Sequence, residues 1–192
     1  MASETFGKKI VLVGAPVDGG KRRRGCLMGP DCYRTAGLSE ALSALGHDVT
    51  DMGNITPRRF IAESTERGIY ALDETIAWTE ALKDAAEVAM QTGLPIFLGG
   101  DHALSLGSVA GVAAFAARRN QPQFVLWLDA HSDFHTPLTT ESGHLHGTPL
   151  AYVTGRDGFT GFPKVDAPIP EENICIIGLR SVDGAEKNAL QA

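Results

Sequence analysis

The sequence predicts an α/β domain of three layers, with helices on both faces of a parallel β-sheet. Short, continuously apolar segments alternate with longer segments of helical period, which is the pattern of βαβ units. Three of the apolar segments end in polar clusters, as parallel strands do where they form ligand sites. At 192 residues, 43% of them hydrophobic, the chain is long enough for one core. We therefore expect residues 1–192 to form a single domain.

The predicted elements follow one another in a regular order. The strands are apolar at successive positions, as expected for strands covered on both faces. The helices repeat apolar residues every three or four positions and end near glycine. The elements are a strand over Lys9–Pro16, a helix over about Asp31–Leu45, a strand over His47–Met52, a loop over 53–68, a helix over about Ile69–Gln91, a strand over Leu94–Leu98, a helix over His102–Arg119, and strands over Phe124–Leu128 and Ile174–Ile177.

The composition argues against several classes of partner. A formal net charge of −6 disfavours nucleic acid, and no segment is apolar for long enough to span a membrane. The basic run Lys21–Arg24 departs from this balance; we expect a solvated loop there, or else a loop that contacts an anion or a subunit. Lys8 and Lys9 lead into a short strand and do not form a signal peptide. Three cysteines without CxxC spacing predict free thiols and a cytoplasmic protein.

A metal site is predicted where the strand Phe124–Leu128 ends. Asp129, His131 and Asp133 stand there at alternate positions, and His102 lies in a Gly-Gly-Asp-His turn after an earlier strand. Oxygen and nitrogen ligands without cysteine favour Mn²⁺, Fe²⁺, Zn²⁺ or Co²⁺, and the carboxylates favour Mn²⁺ among these. One carboxylate can bridge two ions that share a hydroxide. The alternative is a set of charged loop residues, which the nearby Gly-Gly-Asp-His turn makes the weaker interpretation.

Seven further residues are candidates for proton transfer and substrate binding. His146 suits a proton shuttle; alternatively it begins a helix and makes a local hydrogen bond. Asp183 and Glu186 share a helical face and could hold a cationic amino group; alternatively they are an acidic first turn stabilised by the helix dipole. The remaining four are neutral donors on a loop, able to hold a carboxylate, although each taken singly fits a surface position: His135, Thr140, Ser142 and His144.

The motifs around these residues resemble the arginase branch of the ureohydrolase family. The resemblance extends over nearly the whole chain. Its motifs are GGDHALSLGS (Gly99–Ser108), WLDAHSDFHTPLTTESGHLHGTP (Trp127–Pro149), IGLRSVDGAE (Ile177–Glu186) and a GAP…GP…R…L pattern (Gly14–Leu38). It implies an arginase-like αβα fold and the hydrolysis of L-arginine to L-ornithine and urea. It also implies a small-molecule substrate, a cytoplasmic enzyme, and a homotrimer or homohexamer when complete.

The resemblance also implies roles for individual residues. His102, Asp129 and Asp133 would hold one Mn²⁺, while Asp129 and His131 would hold a second, with a hydroxide bridging the two ions of each complete subunit. His146 matches the proton shuttle of the family. The α-carboxylate and α-amino subsites would be formed, respectively, by Ser142 with His135 and by Asp183 with Glu186.

The chain departs from the family pattern in several ways. His135 and His144 stand where arginases have asparagine, Ser181 replaces an aspartate, and Gly184 replaces a proline. The SFDxDxxDP-type motif, with two more aspartate ligands, is absent, as is the glutamate that meets the guanidinium. We therefore expect the N-terminal portion of an arginase, with C-terminal strands missing and no activity by itself. The alternatives are an agmatinase-like hydrolase of another guanidino compound and a non-catalytic metal-binding fragment.

Overall fold

A computed structural model describes residues 7–62 and 64–191 of the chain. Strands and helices alternate along it, with two short 3₁₀ turns, at Leu145–Gly147 and Glu171–Asn173. The elements are β1 (Lys9–Ala15), α1 (Gly29–Thr35), α2 (Leu38–Ala44), β2 (Asp48–Asn54), β3 (Thr65–Glu66), β4 (Ile69–Tyr70), α3 (Leu72–Thr92), β5 (Leu94–Gly99), α4 (Leu104–Ala117), β6 (Val125–Leu128), α5 (Pro149–Val153), β7 (Ile174–Ile177) and α6 (Gly184–Gln191).

Strand β1 is the centre of a three-stranded parallel sheet with the order β2-β1-β5. Its residues from Ile10 onward are buried, because helices cover both of its faces. Strands β6 and β7 form a second parallel pair, and β3 with β4 forms a short antiparallel hairpin. The predicted parallel pairing is confirmed. The expectation of one sheet is not met within the described residues, where no ladder joins β5 to β6.

The helices form the two outer layers. Leu38 and Leu42 of α2 pack against Ile10, Leu12 and Leu98 on one face of the three-stranded sheet. On the other face, Ala85 and Ala89 of α3 pack against Val11 and Val13. Helix α4 lies so close to α3 that a Cβ added at Gly107 would be 2.4 Å from the carbonyl oxygen of Thr79. These layers make the predicted αβα fold.

Some predicted boundaries were wrong for local backbone reasons. The helix predicted over 31–45 is two helices, separated where Gly37 adopts the left-handed φ of 81°. The helix predicted from Ile69 begins at Leu72, because Ile69 and Tyr70 pair with β3. Helix α5 was not predicted, since five residues are too few to show a helical period.

The β6–β7 pair leaves one apolar face open. Leu126 is 60% exposed, Leu128 72% and Ile177 54%, whereas Trp127 between the two leucines is buried in the main core. Strand alternation explains the difference, because successive side chains point to opposite faces. No helix in the described part of the chain has the length and apolarity to cross a bilayer.

Candidate metal centre

The polar ends of three strands meet at one place. The segments that follow β6 and β7 are joined by a parallel bridge between His131 and Ser181. The turn after β5 reaches the same place, because His102 Nδ1 lies 3.1 Å from Asp129 Oδ2 and 2.7 Å from Asp133 Oδ2. The parallel pairing of β6 and β7 places their carboxyl ends on the same side, and the contacts of His102 bring the end of β5 to them.

His102, Asp129 and Asp133 offer one ligand atom each within 4.8 Å of one another. Asp133 Oδ2 is buried and, within the described residues, accepts no hydrogen bond. It lies 2.7 Å from His102 Nδ1, close enough for an electrostatic interaction between the two groups. Asp133 also holds the left-handed φ of 49°, a conformation that is uncommon outside glycine and recurs at functional sites. This donor set fits a divalent cation such as Mn²⁺.

Asp129 lies between two imidazoles. Its Oδ2 faces His102 at 3.1 Å, and its Oδ1 lies 3.3 Å from His131 Nδ1. The backbone N–H of His131 donates to the same Oδ1 at 3.0 Å. His131 itself, 61% exposed at its side chain, stands outside the three-residue cluster. Asp129 therefore presents one oxygen to each side, which is the arrangement that a bridging ligand needs.

The charges at the centre favour a bound cation. Burial of His102 opposes its protonation, but Asp133 and Asp129 outweigh burial and raise the pKa of the ring. Burial of Asp129 would raise the pKa of that carboxyl, yet the N–H of His131 and the charges of His102 and His131 lower it overall. The Asp129 carboxylate is thus ionised at neutral pH. The same carboxylates would attract an added divalent cation.

A cavity of about 350 Å³ opens onto these donors. It brings together all eleven residues that were predicted from the sequence, although they come from segments far apart in the chain. Its lining residues are His102, Asp129, His131, Asp133, His135, Thr140, Ser142, His144, His146, Gly147, Ser181, Asp183 and Glu186. Gly147 and Ser181 were not predicted as site residues. Gly147 follows His146 in the sequence, and Ser181 pairs with His131 through the backbone.

His146 lies in the 3₁₀ turn on one wall of the cavity. Its backbone N–H donates to the carbonyl of Gly20 at 3.1 Å, and its ring meets that of His144 edge-on at 5.7 Å. Burial lowers the pKa of His146, while the charges of Asp101 and Asp133 partly oppose this. The ring is therefore neutral at pH 7 and able to accept a proton. On the same wall, the N–H of His144 donates to Ser142 Oγ at 3.2 Å.

Another part of the cavity lining is held together by Glu186. This side chain is 6% exposed, and its carboxylate accepts from Ser132 Oγ, from Phe134 N at 3.4 Å and from Asp183 N at 3.3 Å. Glu186 N donates in return to Asp183 Oδ1 at 3.0 Å, so the two acids form a capping box at the start of α6. Asp183 Oδ2 also lies 2.8 Å from His135 Nε2. The acidic first turn of α6 is therefore also part of the cavity wall.

Two buried aspartates near the cavity were not predicted from the sequence. Asp101 accepts from Gly20 N at 2.8 Å and from Ala103 N at 2.9 Å. Asp18 accepts from Gly25 N and Cys26 N. The Gly-Gly-Asp-His turn contained a signal for Asp101, since an aspartate before a helix often caps backbone N–H groups. Nothing local distinguished Asp18 from a surface residue.

An αβα fold with oxygen and nitrogen donors gathered at its strand ends is typical of an α/β protein with a candidate metal site. The sequence model of the arginase family matches residues 8–192. The chain belongs to the arginase family.

Individual relatives agree with this assignment. The chain is 52% identical over 182 residues to the arginase of Brucella melitensis, covering 94% of this chain and 60% of that protein. The crystal structure of Bacillus subtilis arginase matches with a TM-score of 0.82 at 35% identity, over 96% of this chain and 62% of that one. An Entamoeba histolytica arginase in complex with L-ornithine matches with a TM-score of 0.81 at 28% identity, over 96% and 63%. The chain thus spans about 60% of the length of the Brucella relative.

Proposed function

We propose that this chain supplies metal ligands and the amino-acid subsite of an enzyme that hydrolyses L-arginine to L-ornithine and urea. The observation that carries the proposal is the convergence of all eleven predicted residues on one cavity. The identity to the Brucella arginase supports it. So does the Entamoeba relative, which was solved with L-ornithine, the proposed product.

His102, Asp129 and Asp133 would hold one Mn²⁺, and Asp129 with His131 would hold a second. When bound, the ions would supply the Lewis acidity that makes water a nucleophile at neutral pH. Asp129 suits the shared position because its two oxygens face His102 and His131 separately. The carboxylates of Asp129 and Asp133 neutralise only half of the charge of two divalent ions, so we expect this chain alone to bind fewer than two.

His146 would move the proton that the reaction needs. Hydrolysis breaks the bond between the guanidinium carbon and the side-chain nitrogen of the substrate, and the departing amine must gain a proton. A ring that is neutral at pH 7 can accept that proton from the attacking water and pass it on. The fixed position of the His146 backbone on Gly20 keeps the ring at the cavity wall.

The amino-acid head of the substrate would be bound at the two walls. His135, Thr140, Ser142 and His144 would donate to the α-carboxylate, and Asp183 would accept from the α-amino group. Glu186 would contribute on the same wall, since its carboxylate lines the cavity and also fixes Asp183. We further propose a trimeric or hexameric cytoplasmic enzyme; the free state of the three cysteines fits a reducing compartment.

A second candidate substrate is a guanidino compound with another head group. The observation that favours it is the His135 ring, which replaces an amide and already lies 2.8 Å from Asp183 Oδ2. The His135 ring, proposed as a donor to the α-carboxylate, is thereby engaged with Asp183 and less available to a carboxylate. Agmatine, which is arginine without its carboxylate, is the matched substrate for comparison.

Urea release and metal content test the proposal. Two proteins are compared: the chain itself, and a chimera in which the remaining part of the Brucella arginase follows residue 192. We expect the chain to bind fewer than two Mn²⁺ and to release negligible urea, and the chimera to bind two and to hydrolyse arginine in preference to agmatine. A preference for agmatine would establish the second candidate. A chimera with two Mn²⁺ and no urea would establish a non-catalytic metal-binding protein.

A further inference from the structure

The basic loop Gly19–Cys26 is a built part of the site and not a free surface loop. Asp18, 1% exposed, holds its far end by accepting from Gly25 N and Cys26 N. Asp101, 4% exposed, holds its near end through Gly20 N at 2.8 Å. A Cβ at Gly20 would lie 2.4 Å from Asp101 Oδ1, so a side chain at this position would clash with the carboxylate.

The same loop touches the wall that carries the proposed carboxylate donors. Gly20 O accepts from His146 N at 3.1 Å, and Arg22 N donates to His144 Nε2 at 3.4 Å. The Arg22 guanidinium lies 4.9 Å from the centre of the Tyr70 ring. Tyr70 N in turn donates to Gly143 O at 2.9 Å. The basic loop, the β3–β4 hairpin and the cavity wall that carries His144 and His146 are thus in contact with one another. We call this continuous structure the rim of the cavity.

The positive charge of the rim reaches the cavity, whose described lining contains no lysine or arginine. Lys21 Nζ is held 3.0 Å from Cys26 Sγ. Burial is the largest cause that lowers the pKa of His144, and the charges of Arg22 and Lys21 lower it further. Lys21 contributes in the same direction at His146, where burial is again the largest cause. One ammonium group therefore acts on both histidines.

We propose that Lys21 and Arg22 are specificity-determining residues, which favour guanidino substrates that carry a carboxylate over the corresponding decarboxylated amines. The proposal rests on the proposed function and adds a charge-based selection to the neutral donors of the subsite. Arginine brings a carboxylate to the rim, where a fixed cation attracts it. Agmatine has the same ammonium group without the carboxylate, so its net positive charge is higher and the same cations repel it. The overall charge of the chain is −6, so the cationic rim is a local region of positive charge that can attract a small anion.

Binding of both ligands to the Mn²⁺-loaded chain tests the proposal by isothermal titration calorimetry. The variants are Lys21→Met and Arg22→Met, which keep most of the apolar stem. Lys8→Met is the matched control, because Lys8 precedes β1 at the end of the sheet opposite to the site. We expect each rim variant to weaken arginine binding by about threefold to tenfold, as for one unit charge acting through partly screened solvent. Agmatine binding should stay equal or become tighter.

The ratio of the two affinities distinguishes the outcomes. The ratio is the affinity for arginine divided by the affinity for agmatine. The proposed role of Lys21 and Arg22 is supported if this ratio falls in Lys21→Met and Arg22→Met and stays unchanged in Lys8→Met. The ratio should also become smaller in 0.5 M salt. Equal ratios in all variants overturn the proposed role, as does a wild-type chain that binds no arginine. The outcome is separable from the proposed function. A chimera that releases urea with ratios independent of Lys21 leaves the reaction standing without the rim, whereas a charge-dependent ratio without urea release leaves the rim without the reaction.

Discussion

Replacing Glu186 is the sharpest perturbation that the structure offers, because one buried carboxylate connects two segments of the site. Glu186 stands 54 residues from Ser132 in the sequence, yet it accepts a hydrogen bond from the Ser132 hydroxyl. It also accepts from Phe134 N and Asp183 N. Ser132 lies between the proposed ligands His131 and Asp133. Glu186→Ala therefore removes the support of the metal ligands and the cap of α6 together.

The expected loss of stability follows from these contacts. Hydrogen bonds to a charged group contribute about 1.5–3 kcal/mol, and a buried donor left unpaired costs about 1–3 kcal/mol. Ser132 has no exposed surface in the folded chain, so its hydroxyl loses a buried partner. Loss of a helix cap adds about 1 kcal/mol. We expect Glu186→Ala to lower the free energy of unfolding by about 3 kcal/mol, and Glu186→Gln, which keeps the volume and one acceptor, by about half as much.

Chemical denaturation of the metal-free chain, followed by circular dichroism, measures this difference. Glu172→Ala is the control, since Glu172 is exposed in the turn before β7 and should change stability by no more than about 0.5 kcal/mol. Mn²⁺ affinity should fall about tenfold in Glu186→Gln, as for other residues that orient metal ligands. A loss below about 1 kcal/mol in Glu186→Ala would refute the assigned role of the buried carboxylate.

Three other predictions concern the ligands, the helix packing and the rim. Asp129→Ala should abolish urea release in the chimera and weaken Mn²⁺ binding at least about tenfold by electron paramagnetic resonance; a near-normal rate would remove Asp129 from the bridging role. Gly107→Ala should destabilise the chain by about 1–3 kcal/mol in thermal unfolding, because its Cβ would meet the α3 backbone; an unchanged midpoint would show that α3 and α4 can separate. Lys21→Met should raise the pKa of His146, since it removes a cation that lowers it; proton NMR titration of the ring that shows no upward shift would contradict this.

Much of the fold could be predicted because its signals are local. The buried strand β1 is an unbroken apolar run, and α3 shows its helical period over many residues. The same holds for Asp129, His131 and Asp133, which lie within five consecutive positions. Boundaries were less predictable, because the left-handed turn at Gly37 interrupts a pattern that continues on both sides of it.

Residue types and their spacing were enough to identify the candidate groups that line one cavity: oxygen and nitrogen donors at a strand end, a histidine suited to proton transfer, and donors on a glycine-punctuated loop. How these groups work together became apparent only in the folded chain. Glu186 lies on Ser132, and Lys21 lies at the histidine wall, because Asp18 and Asp101 bend the basic loop back over it. The contacts between Gly20 and Asp101 span 81 positions. Residue type and periodicity are properties of a short window, whereas such contacts depend on how the chain packs around β1.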